Sequence, residues 1–541
     1  MAMSVFRPLL LVAQVTILWA MLAAILLLPG RLMISGIEAD VLHALDGALR
    51  VQAGALPHLD FPTPLGLIAF GLPALGLAQG LGPGMALIAA NLAVAAFLLP
   101  MLVWLGVTRL SPWTALVVSV WALVEAGGLV HDSTVATTTF ALFYNRWGWA
   151  VFTCLALLML VPARTARTAS GDGLMLGAGL AFLALLKMTY FLALALPVLV
   201  WLVAGRRWHA LAVATLTGLA VMAAVTVRAG PGIWPAYLGD LIMVANSDIR
   251  PRPGLSLAEI VASPAFVLGS FALLGGIIAL RLAGLRGPGL QLLMLLPGAI
   301  YVTYQNWANA PVWLVTLAVA LHEARGRMDS GARILALPAR GVLGGLALVA
   351  LTQVGPHAIN MLASPLRHLG ADPADYLDPF DRPGWDDLMF LKERAAMAMA
   401  QVPVILPEEP PSDPRSAAEI LPVTFMGRSF PACTSTSGLI AQYRERARAL
   451  AALPDLDPDR VLTADLVNAT WAMAGGNPLP GASPWYYGGR AGFDAADWIL
   501  VPACPFGAQA RQLILSELAA TGWAFRERWS GEVGTIYERI R

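Results

Sequence analysis

The chain has 541 residues, 58% of them hydrophobic and 13% charged, and its net charge is +1. Soluble proteins carry about 25% charged residues, so this composition excludes a soluble globular protein and specifies a multispan membrane protein. Lysine occurs only at Lys187 and Lys392, which leaves no basic patch for nucleic acid.

The small net charge hides two materials. Residues 357–541 hold 38 of the 69 charged side chains and are net −6, while residues 1–356 are net +7. The expected organisation is a multispan membrane domain over 1–356 followed by a soluble α/β domain over 357–541.

In chain order, the first apolar run covers 8–30 behind Arg7. It is too long for a signal-peptide core and has no small-x-small cleavage site, so it stays as a span. The stretch EADVLHALDGALRVQAGALPHLDFPTPLG (38–66) then places four carboxylates and two histidines between apolar segments. From Asp40 to Gln52 its pattern is helical. Asp40, His43, Gly47 and Arg50 share one face, and Val41, Leu42, Leu45, Ala48 and Leu49 share the other. This reads as an amphipathic helix at 38–53 lying on the outer membrane surface, stopped by Gly54 and Pro57. Asp46 and Arg50 are four apart and should pair. Asp40 opens the helix, as a cap favoured by the dipole or as a chemical group. Asp60 has two readings of the same kind, a cap for the turn into the second span or a chemical group.

Eleven further apolar segments follow, near 63–80, 83–107, 112–130, 147–162, 172–186, 189–205, 209–227, 262–281, 288–305, 309–323 and 340–356, for about twelve spans. Alternate loops hold twelve arginines (7, 109, 164, 167, 206, 207, 281, 286, 325, 327, 333 and 340) against Asp172, Glu323 and Asp329. By the positive-inside rule that set and the N terminus are cytoplasmic. The loop with Asp40 and the C-terminal domain then face the periplasm. No internal repeat is evident, which points away from transporters built from two homologous halves.

The outer loops hold polar residues beside aromatics. HDSTVATTTFALFYNRWGW (131–149) offers His131 and Asp132, then Asn145 and Arg146 between Tyr144 and Trp147. Lys187, in LAFLALLKMTYFLALAL with Tyr190 just after it, is an intramembrane charge. Such a charge costs about 2.5–3.5 kcal/mol on insertion scales and marks function by default. The short segments on either side of it suggest a broken hairpin. Later clusters are Tyr237, Asp240, Asn246, Asp248, Arg250 and Arg252, then Tyr304, Gln305, Asn306, Trp307 and Asn309.

In the tail, 402–406, 460–464, 497–502 and 534–540 read as strands, and 384–400, 438–453 and 508–522 as helices. Cys433 and Cys504 can form a disulfide in an oxidising compartment. Trp471, Trp485, Tyr486, Tyr487 and Arg490 are either core or a platform for a glycan.

Asp40, Gly54, Pro57, His58, Asp60, Phe61 and Pro64 together resemble the first outer loop of GT-C-type glycosyltransferases. The hydropathic layout and the C-terminal outer domain are similar as well. The resemblance implies a GT-C-like bacterial inner-membrane enzyme that transfers a sugar from a polyprenyl-phosphate donor, with inversion, to a cell-envelope glycan or lipid acceptor. It implies Asp40 as general base, with Asp60 as the other catalytic candidate. Glu38, His43, His58, His131, Asp132, Asn145, Arg146, Lys187, Tyr190, Gln305 and Asn306 are implied as substrate-binding. Many members begin the motif with two adjacent acids, whereas here Asp40 is followed by Val41 and Glu38 lies two residues before it. The sequence specifies no cofactor, and a divalent metal ion is left open. A flippase for lipid-linked glycans and a non-catalytic scaffold are the alternatives. The scarcity of mid-span charges speaks against the flippase.

Overall fold

A computed structural model describes residues 2–131, 134–165, 168–249, 256, 258, 262–305, 310–397, 399–401 and 422–540. In chain order the apolar part holds α1 (Ala2–Leu27), strand β1 (Leu32–Ile34), α2 (Glu38–Gln52), α3 (Leu67–Ala78), α4 (Pro83–Thr108), α5 (Pro112–Gly127) and α6 (Phe143–Leu160). It continues with α7 (Ala169–Leu186), α8 (Met188–Ala204), α9 (Trp208–Ala229), α10 (Ile233–Asn246), α11 (Pro264–Leu282), α12 (Arg286–Tyr304) and α13 (Trp313–Gly326). A hairpin of β2 (Arg333–Ile334) and β3 (Leu337–Pro338) leads into α14 (Ala339–Leu369). Each of the twelve apolar segments expected to span is a helix. Among the described residues, six helices are long and apolar enough to cross a membrane: Pro8–Leu27, Pro83–Thr108, Ala169–Leu186, Trp208–Ala229, Pro264–Leu282 and Ala339–Leu369.

The chain divides into two compact units. One comprises Met1–Pro29, Ile88–Gly230 and Pro251–Gly370; the other comprises Gly30–Leu87, Pro231–Arg250 and Ala371–Arg541. The expected boundary at 356/357 falls inside α14.

Within the first unit α7 runs closely along α9, and α14 packs on α11 and α13. Glycine makes the first approach feasible. A Cβ at Gly173 would lie 2.6 Å from the Ala210 carbonyl oxygen, and one at Gly177 would lie 2.5 Å from that of Ala214. Small residues four apart let backbones meet where lipid gives no hydrophobic drive. Between α7 and α8 the chain is extended at Lys187 (φ −159°, ψ 111°), so the expected break is real.

The second unit contains the tail. Its segment 384–400, expected as a helix, is instead β5 (Leu388–Leu391), the short helix α15 (Lys392–Ala396) and β6 (Met399–Gln401). The apolar run LMFL becomes a strand because it has two neighbours to pair with. β5 lies parallel to β1, with Leu32 opposite Leu388, and antiparallel to β4 (Tyr376–Leu377). The expected strand at 402–406 lies outside the described residues. Next come β7 (Val423–Phe425), β8 (Arg428–Phe430), β9 (Thr434–Ser437), α16 (Leu439–Ala451), β10 (Val461–Thr463) and α17 (Thr470–Met473). β11 (Trp498–Pro502), α18 (Ala508–Ala519), β12 (Ala524–Gly531) and β13 (Gly534–Ile540) complete the chain.

The main sheet has the order β10-β11-β13-β12, with β10 and β11 parallel and the rest antiparallel. Successive residues of β11 serve opposite faces. Ile499 and Val501 join a core with Ile514, Leu518 and Tyr537, while Trp498 and Leu500 join Leu450, Val461 and Ile536. Both faces are covered, so the strand reads as an unbroken apolar run. Cys433 and Cys504 are joined as a disulfide, with Cα atoms 5.3 Å apart.

Gly177→Val should destabilise the protein by about 1–3 kcal/mol, the usual cost of overpacking, because backbone cannot yield as a side chain can. Gly218, on α9, has nothing within 4 Å of its Cβ position, and Gly218→Ala should leave the melting temperature in detergent unchanged or slightly raised. Equal melting temperatures for wild type and Gly177→Val would refute the close α7–α9 contact.

Candidate functional site

Helix α2 carries Glu38, Asp40, His43, Asp46 and Arg50, and all five are buried. The helix expected at 38–53 is present, and protein covers its polar face. The partners come from its own unit. Glu38 Oε1 accepts a bond from Arg394 Nε at 2.5 Å. Asp46 Oδ1 pairs with Arg50 Nε at 2.6 Å, as the spacing indicated, and Asp46 Oδ2 accepts from Trp471 Nε1 at 3.1 Å. Arg50 Nη1 donates to the Leu479 carbonyl at 2.7 Å. Burial drives the Asp46 carboxyl upward from the ordinary range, against the opposing pull of Arg50 and Trp471. A buried charge stripped of its partner costs several kcal/mol, so these bonds are what allow the polar face to leave water.

Asp40 sits in the first turn and is 9% exposed. It is not the cap: the helix starts at Glu38, and Ile37 holds the capping position in the left-handed region (φ 58°) with no side-chain cap bond. His43 stands edge-on to Phe70 and Trp485, with ring centroids 5.6 and 5.5 Å away. Burial lowers its pKa to about 4, so the ring is neutral at pH 7. Trp471 and Tyr486, weighed as parts of a glycan platform, are buried instead, Trp471 on Asp46 and Tyr486 in the core beside the main sheet.

Past the helix, Asp60 Oδ2 accepts the Leu56 amide at 2.7 Å and closes an exposed turn. His58 is buried, with Nδ1 2.8 Å from Asp240 Oδ2, and its ring is stacked on Tyr237 at a centroid distance of 4.2 Å. Asp240 had stood out in the sequence only as part of a loose polar cluster. A link across 182 positions leaves no local signal.

In the first unit, several expected residues come together. Lys187 Nζ donates to Asn145 Oδ1 at 2.8 Å and lies 4.7 Å from the Tyr144 ring centroid and 6.0 Å from that of Tyr190. Asn145 and Arg146 belong to the first turn of α6, where the helix dipole is positive. Both are fully buried and Lys187 is nearly so. Arg146 Nη1 donates to the carbonyls of Gly128 and Val130. Nearby His131 contacts Thr137 Oγ1 through Nδ1 at 3.2 Å. Burial and the Arg146 charge lower its pKa to about 4, so it too is neutral at pH 7. Tyr190 meets Trp149 edge-on at 5.2 Å and occupies the space beside Gly148. Gln305 Nε2 donates to Thr189 Oγ1 at 3.0 Å. Asp132 and Asn306 lie outside the described residues. The result is a buried centre with two cations at a helix start and a helix break, chemistry suited to an anion.

One intramembrane acid escaped the sequence reading. Glu125, near the end of α5, is buried and accepts from Thr153 Oγ1 at 3.5 Å. Its signal was a lone glutamate in an apolar run, the same kind that exposed Lys187. Among the described residues, no group of three or more His, Cys, Asp or Glu side chains could hold a metal ion.

No family model matches the sequence, and no curated protein does. One solved structure similar to this chain is that of ArnT from Cupriavidus metallidurans bound to undecaprenyl phosphate. Identity is 10%, the match covers 98% of this chain and 97% of that one, and the TM-score is 0.44. At that score and identity the likeness assigns no fold, residue or reaction to this chain.

The neutral His43 makes stability depend on pH. The unfolded chain takes up a proton near pH 6.5 and the folded one only near pH 4, so stability is lost as pH falls between those values. The shift corresponds to about 3 kcal/mol. Relative to wild type, His43→Phe should lack this loss in denaturation measured from pH 7 to pH 4. Parallel curves for the two proteins would show that His43 is charged or exposed.

Proposed function

We propose that the protein is a membrane glycosyltransferase that moves a sugar from a polyprenyl-phosphate donor to a cell-envelope glycan or lipid acceptor, with inversion, on the periplasmic side. The observation that carries this reading is the buried pair of cations, Arg146 and Lys187, linked through Asn145 at the start of α6. Cations buried among apolar helices mark function, and an anionic lipid headgroup is a ligand that such cations can hold. The twelve-to-three excess of basic over acidic residues in alternate loops supports a cytoplasmic N terminus and a periplasmic tail.

In this reading Asp40 takes the proton from an acceptor hydroxyl as its oxygen attacks the anomeric carbon. The bond from that carbon to the phosphate oxygen breaks, and the polyprenyl phosphate leaves with the electron pair. In the same reading Arg146 and Lys187 bind the donor phosphate. Glu38, two residues before Asp40, is engaged by Arg394, and the base role in this reading belongs to Asp40. Asp60, committed to the turn at Leu56, is the weaker candidate.

Asp40→Asn should lower transfer by about 10²–10⁴-fold, the usual contribution of a general base. Lys187→Met should weaken capture of the polyprenyl phosphate. The measurement is the surface glycan of a gene-deleted strain complemented with each variant at matched expression. Restoration of a missing sugar by wild type alone supports the assignment. Equal restoration by Asp40→Asn removes Asp40 as the base and moves a lipid-glycan flippase ahead.

A further inference from the structure

We infer that His58 takes a hydrogen bond from an acceptor hydroxyl on its Nε2, with Asp240 and Tyr237 holding the ring for that contact; this deepens the glycosyltransferase reading and rests on it. Asp240 Oδ2 accepts the Thr63 backbone N–H at 2.9 Å and faces His58 Nδ1 at 2.8 Å. A carboxylate oxygen accepts, so Nδ1 carries the proton that faces it, and the neutral ring in that tautomer bears its lone pair on Nε2. Tyr237 precedes Asp240 by three residues on α10 and lies against the imidazole with the planes 22° apart. The ring can therefore neither turn over nor change tautomer without losing a partner.

Among the described residues, nothing uses the atom that this arrangement prepares. His58 is 8% exposed, and its Nε2 is buried with no hydrogen-bond partner. Its backbone is also left-handed (φ 74°), a conformation that costs free energy in a residue with a side chain and is tolerated where function requires it. A ring serving only as a strut between the 56–63 segment and α10 would gain nothing from a second, unmet nitrogen. The ring hangs from a loop: Leu59 and Asp60 beside it are exposed, and the loop turns through Gly54 at φ 96°. A hydroxyl of a sugar or polyol acceptor donates to Nε2 when that loop yields. The ligand class is thus an alcohol with a free O–H, in contrast to the anionic donor assigned to Arg146 and Lys187.

Two substitutions test this in the full-length protein reconstituted in liposomes, with polyprenyl-phosphate sugar as donor and envelope glycan extracted from the deletion strain as acceptor. Asp240→Ala removes the oxygen that faces Nδ1, so the ring loses its anchor and can take the Nε2–H form that a free imidazole favours. His58→Phe keeps a ring stacked on Tyr237 and removes both nitrogens. Each should raise the acceptor KM about tenfold, the effect of one lost hydrogen bond, with kcat within about twofold and donor KM unchanged. Nitrogen-15 spectra of labelled histidine should show the protonated nitrogen of His58 moving from Nδ1 to Nε2 in Asp240→Ala. An unchanged acceptor KM in both variants overturns the inference and makes the ring a strut. A fall in kcat at constant KM overturns it as well, by assigning His58 to proton transfer. Failure of wild type to transfer any sugar rejects the glycosyltransferase reading and this inference together.

Discussion

A charge that leaves water must be met by protein, and α2 takes five ionisable side chains out of water at once. The second unit is arranged around that demand. Arg394 meets Glu38, Trp471 and Arg50 meet Asp46, and the Leu479 carbonyl meets Arg50. These partners come from segments more than 340 residues beyond the helix, apart from Arg50 itself. The tail therefore completes the burial of α2 and is not a free-standing appendage. Where no charged partner exists, the helix uses neutrality: His43 is held uncharged between two aromatic rings.

The first unit handles charge in another way. It keeps cations buried at a helix start and a helix break. Lys187 leans on an amide and an aromatic face, and Arg146 on backbone carbonyls. These contacts position the side chains without cancelling their charge. Neutral His131 beside Arg146 adds none of its own.

Much of this was legible in the sequence. Hydropathy missed the shorter α10 (Ile233–Asn246) but located the helices of the twelve apolar segments, because a membrane span imposes a run of about 20 apolar residues that needs no tertiary context. Lys187 stood out for the same reason, and the Asp46–Arg50 pair followed from helical spacing. The other gaps share one physical origin. Amphipathicity shows that α2 has a polar face but not whether lipid headgroups or distant protein will cover it. The run LMFL at 388–391 became a strand because β1, more than 350 residues earlier, offered its edge. The partnership of His58 with Asp240 is invisible for the same reason, since periodicity speaks only of neighbours along the chain.

One consequence concerns the order in which the molecule is made. β1 has its parallel partner in β5, and the amides of Gly84 and Met85 at the start of α4 are capped by the carboxylate of Asp387. At about 5–20 residues per second of synthesis, Leu32 waits roughly 20–70 s for Leu388. During that time the helices of the first unit are already being threaded into the membrane, while α2, with its five ionisable groups, stands without the segments that will enclose it. Biogenesis therefore proceeds with an open and strongly polar loop, and the last third of the chain closes it.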